Sequence, residues 1–321
     1  MTAAVLGSGS WGTALAILLA RNGHRVALLG RDIAEIEDIR THRENRRYLP
    51  GFELPAQIVP NLLHHDLQEV EMTVIAVPSA AVREVVAEVG GRHPLVVVCS
   101  KGLEPETSLP MTEVVQEVKP EAMVGVLSGP NLAVEIVRGI PTVAISAFAD
   151  QEAADTVLDA FCSPTFRVST SDDVVGVEVA GALKNVLAIG AGMSDGLGFG
   201  DNTKGAFLSR GLMEMSRLGE AMGGRHSTFL GPAGVGDLFA TAASRLSRNY
   251  RVGRKLGEGA TLDEALREVG QVAEGVPTAV AALQLAKEHR VDVPVFAAVE
   301  AVINGRLAPP EAVAILMERP R

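Results

Sequence analysis

Seven short runs in the first half of the chain are apolar and rich in β-branched residues: Ala3–Leu6, Arg25–Leu29, Met72–Val77, Leu95–Cys99, Val124–Leu127, Thr142–Ile145 and Phe166–Val168. Several are apolar throughout instead of alternating. That is the pattern of strands buried on both faces, which belong to parallel sheets covered by helices. Between the runs, Gly12–Asn22, Ala80–Val89, Met111–Val118 and Gln151–Phe161 read as helices. Strand–helix alternation of this kind predicts a doubly wound α/β sheet of the Rossmann type.

After Asp173 the strand signals stop. Val174–Gly192, Thr203–Met222, Val235–Ala243, Arg248–Leu256, Leu262–Val269, Val276–Glu288, Val295–Asn304 and Pro310–Met317 follow at helical spacing. Ser169-Thr-Ser-Asp-Asp173 is a polar break with helix-capping residues. The expected organisation is therefore a doubly wound domain over residues 1–170 and an all-helical domain over 171–321. Gly190–Gly205 is dense in glycine and reads either as a mobile loop or as a tight connection between helices.

Composition narrows the function classes. Lys and Arg number 29 against 39 Asp and Glu, a formal net charge of −10, which argues against broad electrostatic binding to nucleic acid. Cys99 and Cys162 are the only cysteines, too few for a disulfide framework or a cysteine-rich zinc site, and no metal site is expected. The first twenty residues carry no charged side chain, but glycines break that stretch and no basic segment precedes it. The expectation is a cytoplasmic protein without membrane insertion.

Gly7-Ser-Gly-Ser-Trp-Gly12 lies directly after one predicted strand and directly before a helix. The first glycine permits a tight turn, the second lets backbone approach a pyrophosphate, and the third lets helix and strand pack closely. The helix N-terminus then faces the anion. This context predicts a dinucleotide site in the first domain. An NAD-selective site commonly places an acidic residue at the end of the second strand to hold the ribose 2′-hydroxyl. Here the sequence is Gly30-Arg31-Asp32. Arg31 suits a 2′-phosphate, so the expected cofactor is NADPH or NADH with a lean to NADPH. The alternative is a solvated Arg31, with Asp32 turned in towards ribose.

Three polar turns follow predicted strands: Val77-Pro-Ser79, Ser100-Lys-Gly-Leu-Glu104 and Ser128-Gly-Pro-Asn131. Lys101 reads equally as a cation near ligand or as a loop lysine in water. Lys184, with Asn185 after it, sits inside a very apolar helix whose only other charge is Glu178. It can snorkel, pair with a buried acid, or serve as a proton-exchanging group with a pKa lowered by desolvation. Arg245, Arg248, Arg251, Arg254 and Lys255 form a basic block uninterrupted by acid, and Ser247-Arg248-Asn249 opens a helix. A phosphate site and a solvated basic face both fit. Nucleic acid fits less well, since Tyr250 is the one interleaved aromatic.

Together these segments resemble the bacterial NAD(P)-dependent glycerol-3-phosphate dehydrogenase family over nearly the whole chain. The resemblance rests on Gly7-Ser-Gly-Ser-Trp-Gly-Thr-Ala14, Ser100-Lys-Gly-Leu-Glu104, Ser128-Gly-Pro130, Leu183-Lys-Asn-Val-Leu-Ala-Ile-Gly-Ala-Gly192, Gly234-Val-Gly-Asp-Leu238, Ser247-Arg-Asn249 and Val272-Ala-Glu-Gly275. It implies reversible hydride transfer between NAD(P)H and dihydroxyacetone phosphate, giving sn-glycerol 3-phosphate for phospholipid synthesis, by a homodimer. It implies that Lys184 exchanges the proton with the substrate oxygen, with Lys101 and Asp237 beside it. Gly129, Asn185, Thr241, Ser247, Arg248 and Asn249 would meet substrate, with Arg248 on the phosphate. Gly7, Gly9, Ser10, Trp11, Gly12, Arg31, Lys101, Ala133, Arg248, Val272 and Glu274 would meet the dinucleotide. Two positions depart from the family pattern: Val134 stands where a lysine is common, and Ala242 where a cysteine is usual. The rival readings are another two-domain reductase of a small keto or hydroxy acid, and a non-catalytic NADPH-binding sensor.

Overall fold

The computed structural model describes residues 1–63 and 70–318. Two compact units divide the chain, one of Met1–Ser100 with Met111–Val174, the other of Lys101–Pro110 with Val175–Arg321.

The first unit is built on one eight-stranded sheet: β1 (Thr2–Leu6), β2 (Arg25–Gly30), β3 (Ile58–Leu62), β4 (Met72–Ile75), β5 (Leu95–Val98), β6 (Met123–Ser128), β7 (Thr142–Ala147) and β8 (Phe166–Ser171). Their spatial order is β3-β2-β1-β4-β5-β6-β7-β8. The order reverses direction between β1 and β4, the place where doubly wound sheets open a ligand crevice. The central strands β1, β4 and β5 are buried nearly end to end, matching their unbroken apolar sequences.

The structure departs from the sequence expectation in four places here, the short helix Ala133–Val137 among them. Strand β3 escaped it because Pro60 interrupts the run, and β3 is an edge strand, where proline is tolerated. The helix Ile33–His42 escaped it because its sequence is mostly polar and only Ile36 and Ile39 are buried. The sheet is also not wholly parallel, since β7 runs antiparallel to β6. The reason lies in the connection: its helix, Ala133–Val137, has five residues and rises only ~7 Å. A six-residue strand such as β6 spans ~20 Å, so this helix alone does not carry the chain back along it, and the connection returns antiparallel.

The second unit is helical around Val174–Gly196, a helix apolar on all sides and buried at every position from Gly176 to Ser194. It is long and apolar enough to cross a membrane, yet its surroundings here are the other helices of the unit. The glycine-dense stretch Gly190–Gly205 is mostly helix. Gly190, Gly192 and Gly196 lie in the central helix and Gly205 in the next, Asp201–Ala221. Gly192 and Gly253 are the points of closest approach between the central helix and the helix Arg248–Gly257. A Cβ on Gly192 would lie 2.1 Å from the Tyr250 carbonyl oxygen, and one on Gly253 only 1.8 Å from that of Ile189. Backbone against backbone is possible only because both positions lack a side chain.

Candidate functional site

The helical unit holds an ion cluster that no single stretch of sequence announces. Lys184, in the middle of the buried helix, donates from Nζ to Asp237 Oδ1 at 3.0 Å and to Thr241 Oγ1 at 2.6 Å. Lys101 donates to the other oxygen, Oδ2, at 2.7 Å. Thr241 in turn donates to Asp237 Oδ1 at 3.1 Å. Asp237 is in place because a π-helical turn, Pro232–Gly236, precedes the helix Asp237–Ala243 and starts it at this residue. Asp237 and Lys184 are almost wholly buried, and the Lys101 side chain is 15% exposed.

Burial works against both charges, with opposite outcomes. It pushes the Lys184 ammonium down to about 8, helped by the nearby Lys101 and Arg248 cations and opposed by Asp237. Burial also acts to raise Asp237, but the two ammonium groups outweigh it and hold the carboxyl below its ordinary value. The result is a fixed anion between two cations, one of which can release a proton near neutral pH. An ammonium has three hydrogens. Two of those on Lys184 are engaged, which leaves one to direct at a ligand oxygen.

A relay of amides supports the cluster from below. The Gly275 backbone N–H donates to Asn249 Oδ1 at 2.9 Å, and Asn249 Nδ2 to Asn185 Oδ1 at 2.9 Å. Asn185 Nδ2 then donates to the Lys101 carbonyl at 2.9 Å. The glycine contact between the two helices makes this possible by bringing Asn249 against Asn185. Asn249 is thus a buried positioning group with most of its polar capacity used, and Ser247 caps the Arg248–Gly257 helix by accepting from Tyr250 N. Arg248 differs from both: it is largely desolvated, which lowers its pKa against the opposing effect of Glu274, and it makes no hydrogen bond or ion pair among the described residues. A desolvated guanidinium in that condition suits an incoming anion. Val272 is exposed, and Glu274 stands at the N-cap of the helix Gly275–Glu288.

The sheet unit carries the glycine loop as anticipated in sequence. Gly7 has φ of 117°, and a Cβ there would lie 2.8 Å from the Ala76 carbonyl oxygen. A Cβ on Gly12 would meet the Gly7 oxygen at 1.9 Å, whereas one on Gly9 would enter open space. The helix Ser10–Arg21 begins with no side-chain cap on its first N–H groups. An open approach over Gly9 to an uncapped helix start fits a pyrophosphate. Trp11 spans the loop and donates from its indole to the Cys99 carbonyl at 3.1 Å. Asn45, which no local sequence feature singles out, clamps the loop from behind. Its Nδ2 donates to the Ser8 carbonyl at 2.7 Å and to Thr13 Oγ1 at 2.8 Å.

At the end of β2, a Cβ on Gly30 would lie 2.5 Å from Ser8 Oγ and 2.8 Å from Ile36 Cδ1, so any side chain there requires those two to turn aside. Asp32 caps the helix Ile33–His42, its Oδ1 accepting from Glu35 N at 3.1 Å. Arg31 is exposed and pairs with Glu84 at 2.9 Å. In the same unit, Gly129 has φ of 149°, Ala133 begins a short helix, and Val134 packs against the sheet core as an apolar residue. Ala242 is fully buried in the helical unit.

Comparison with known proteins gives a consistent result. Residues 2–154 match the model of the NAD-dependent glycerol-3-phosphate dehydrogenase N-terminus, and residues 173–314 that of the C-terminus. The glycerol-3-phosphate dehydrogenase [NAD(P)+] of Desulfitobacterium hafniense (strain Y51) is 44% identical, covering 98% of this chain and 91% of its own. That of Anaeromyxobacter sp. (strain K) is 48% identical over 99% and 98%. The crystal structure of glycerol-3-phosphate dehydrogenase from Coxiella burnetii superposes with a TM-score of 0.94 at 36% identity, covering 99% of both chains.

Proposed function

Because the chain belongs to the NAD-dependent glycerol-3-phosphate dehydrogenase family, we propose that it interconverts dihydroxyacetone phosphate and sn-glycerol 3-phosphate with NADPH or NADH. The observation that carries this reading is the buried Lys184–Asp237–Lys101 cluster, with an unpaired Arg248 near enough to affect the Lys184 pKa. The reduced nicotinamide supplies hydride to the carbonyl carbon. Negative charge then grows on the carbonyl oxygen, and the uncommitted hydrogen of Lys184 is suited to stabilise and protonate it. Lys184 is left as a neutral amine and regains a proton from solvent. In the reverse direction the neutral amine accepts the hydroxyl proton. Asp237 keeps the cluster's charge balanced, and Lys101 adds a second cation beside the growing oxyanion. Arg248 takes the phosphate dianion, whose binding energy aligns the reacting end. Asn185, Thr241 and Asn249 shape the pocket, Ser247 orders the helix start, and Gly129 offers backbone to the substrate.

The sheet unit, in this reading, is the dinucleotide-binding domain and the helical unit the substrate domain. Gly7, Gly9, Ser10, Trp11 and Gly12 would hold the pyrophosphate, with Arg31 at the ribose end and Ala133, Lys101, Arg248, Val272 and Glu274 as further contacts. Glycine in place of an acid at position 30, with Arg31 beside it, supports NADPH ahead of NADH. The chain would act as a cytoplasmic homodimer supplying phospholipid synthesis, without contact to nucleic acid or insertion in a membrane.

The test is oxidation of NADPH and NADH by the purified protein, with dihydroxyacetone phosphate and with unphosphorylated dihydroxyacetone. Rapid turnover confined to the phosphate ester is the expected result. Equal turnover of both ketones would overturn the role of Arg248, and no turnover despite tight NADPH binding would overturn the reaction.

A further inference from the structure

The basic block of the sequence does not act as one unit. Only Arg248 of its five cations is largely desolvated beside the lysine cluster. The other four line a separate cavity of about 310 Å³ between the helices Arg248–Gly257 and Leu262–Val269, together with Glu258 and Glu268. The carboxylates at this cavity are already committed. Glu258 pairs with Arg254 at 2.9 Å and with Lys255 at 3.4 Å, and Glu268 with Lys255 at 2.8 Å. Arg245 and Arg251 have no carboxylate partner among the described residues. Four cations against two carboxylates leave a surplus of two positive charges, held at one concavity in a chain of net −10.

We propose that this cavity is a second anion site, in which Arg245 and Arg251 bind the phosphate dianion of a small soluble phosphate ester. Guanidinium forks match phosphate oxygens in pairs, and a surplus of two charges matches a dianion. The volume falls at the low end of small-molecule pockets, enough for a phosphate and a short organic group but not for a dinucleotide. Glu258 restrains Arg254 and so sets the strength of the site. Because the cavity adjoins the helix that opens with Arg248, occupancy would be felt by the helix that carries the other anion group.

The test is calorimetric titration of the full chain with inorganic phosphate at low ionic strength. It compares the parent, Arg248→Ala, Arg245→Gln/Arg251→Gln and Glu258→Gln, with thermal melting to confirm that each is folded. The parent should bind two phosphates, Arg248→Ala should keep the cavity site, and the double variant should weaken that site by about tenfold or more. Glu258→Gln should tighten it severalfold by freeing Arg254. If Arg248→Ala still binds two phosphates while the double variant binds one, the cavity site stands and the catalytic reading of Arg248 falls. A folded double variant that binds as the parent does, or weaker binding by Glu258→Gln, overturns the proposal. So does Arg251-dependent sedimentation with phosphatidic acid vesicles in the absence of any binding of free phosphate.

Discussion

Replacing Asp237 by asparagine removes one charge and almost no volume from the centre of the cluster. In the parent, Asp237 is what keeps Lys184 as high as about 8 against burial and two neighbouring cations. An opposite charge at this range is worth ~1–3 pKa units, so the variant's Lys184 should titrate at roughly 5–7. At pH 7 the parent lysine is about 90% ammonium, whereas the variant's would be only about 1% to about 50% ammonium. Reduction of the ketone consumes the ammonium form, so its rate falls as pH rises through the Lys184 pKa. Asp237→Asn should therefore move the alkaline limb of the kcat profile for dihydroxyacetone phosphate reduction down by ~1–3 units. The rising limb of glycerol 3-phosphate oxidation should move by the same amount. The assay is kcat against pH from 5.5 to 9.5 on enzyme whose folded fraction is measured in parallel, because breaking a buried pair commonly costs ~3–5 kcal/mol. A folded variant whose alkaline limb stays at the parent's position would refute the assignment of that limb to Lys184.

Three further outcomes follow from the same geometry. Arg248→Ala should raise KM for dihydroxyacetone phosphate by ~10²-fold or more through loss of a charge-assisted anchor, and an unchanged KM in steady-state kinetics would place the phosphate elsewhere. Gly253→Ala puts a methyl 1.8 Å from the Ile189 oxygen, so the two helices must separate; overpacking of this kind costs ~1–3 kcal/mol or more. Lower thermal stability together with lower kcat is expected, because the Asn249–Asn185 bond crosses that contact. Burial pushes Glu214 up to about 7, against the N–H groups of Val295 and Phe296 that it accepts from. The native state then binds more protons than the unfolded chain between about pH 4.5 and 7, so stability falls as pH rises through that window. Glu214→Gln should flatten the dependence of the melting temperature on pH there, and an equally steep profile would contradict the account.

Much of the architecture is legible in sequence because it follows from local periodicity. Unbroken apolar strands, alternating helices and a glycine loop at the first strand–helix turn lead to a doubly wound sheet. The loss of strand signals after Asp173 likewise leads to the helical half. Lys184 stands out in sequence as a charge in an apolar helix, and Arg248 as part of a basic block at a helix start. Strand β3 and the helix Ile33–His42 are hidden by local features, a proline and a mostly polar sequence, whereas the supporting contacts of the sites depend on residues distant in sequence. Asn45 clamps a loop that ends at position 12, and Asp237, 53 residues beyond the lysine it balances, is reached in sequence only through the family resemblance. Local pattern also does not give the direction of β7, because the composition of a strand is the same whichever way it runs.

The chain's own order of residues thus determined the layers, the glycine loop and the identity of the charged groups. Tertiary structure alone decided that Lys101, at the end of a strand run, packs with the helical unit and shares a carboxylate with Lys184. It also decided the division of the basic block between a desolvated arginine and a separate cavity, and the use of Asn249 as a support. The physical reason is that pKa values and partners come from burial and from distances of a few ångströms. Both are set by tertiary packing, and sequence spacing does not encode either.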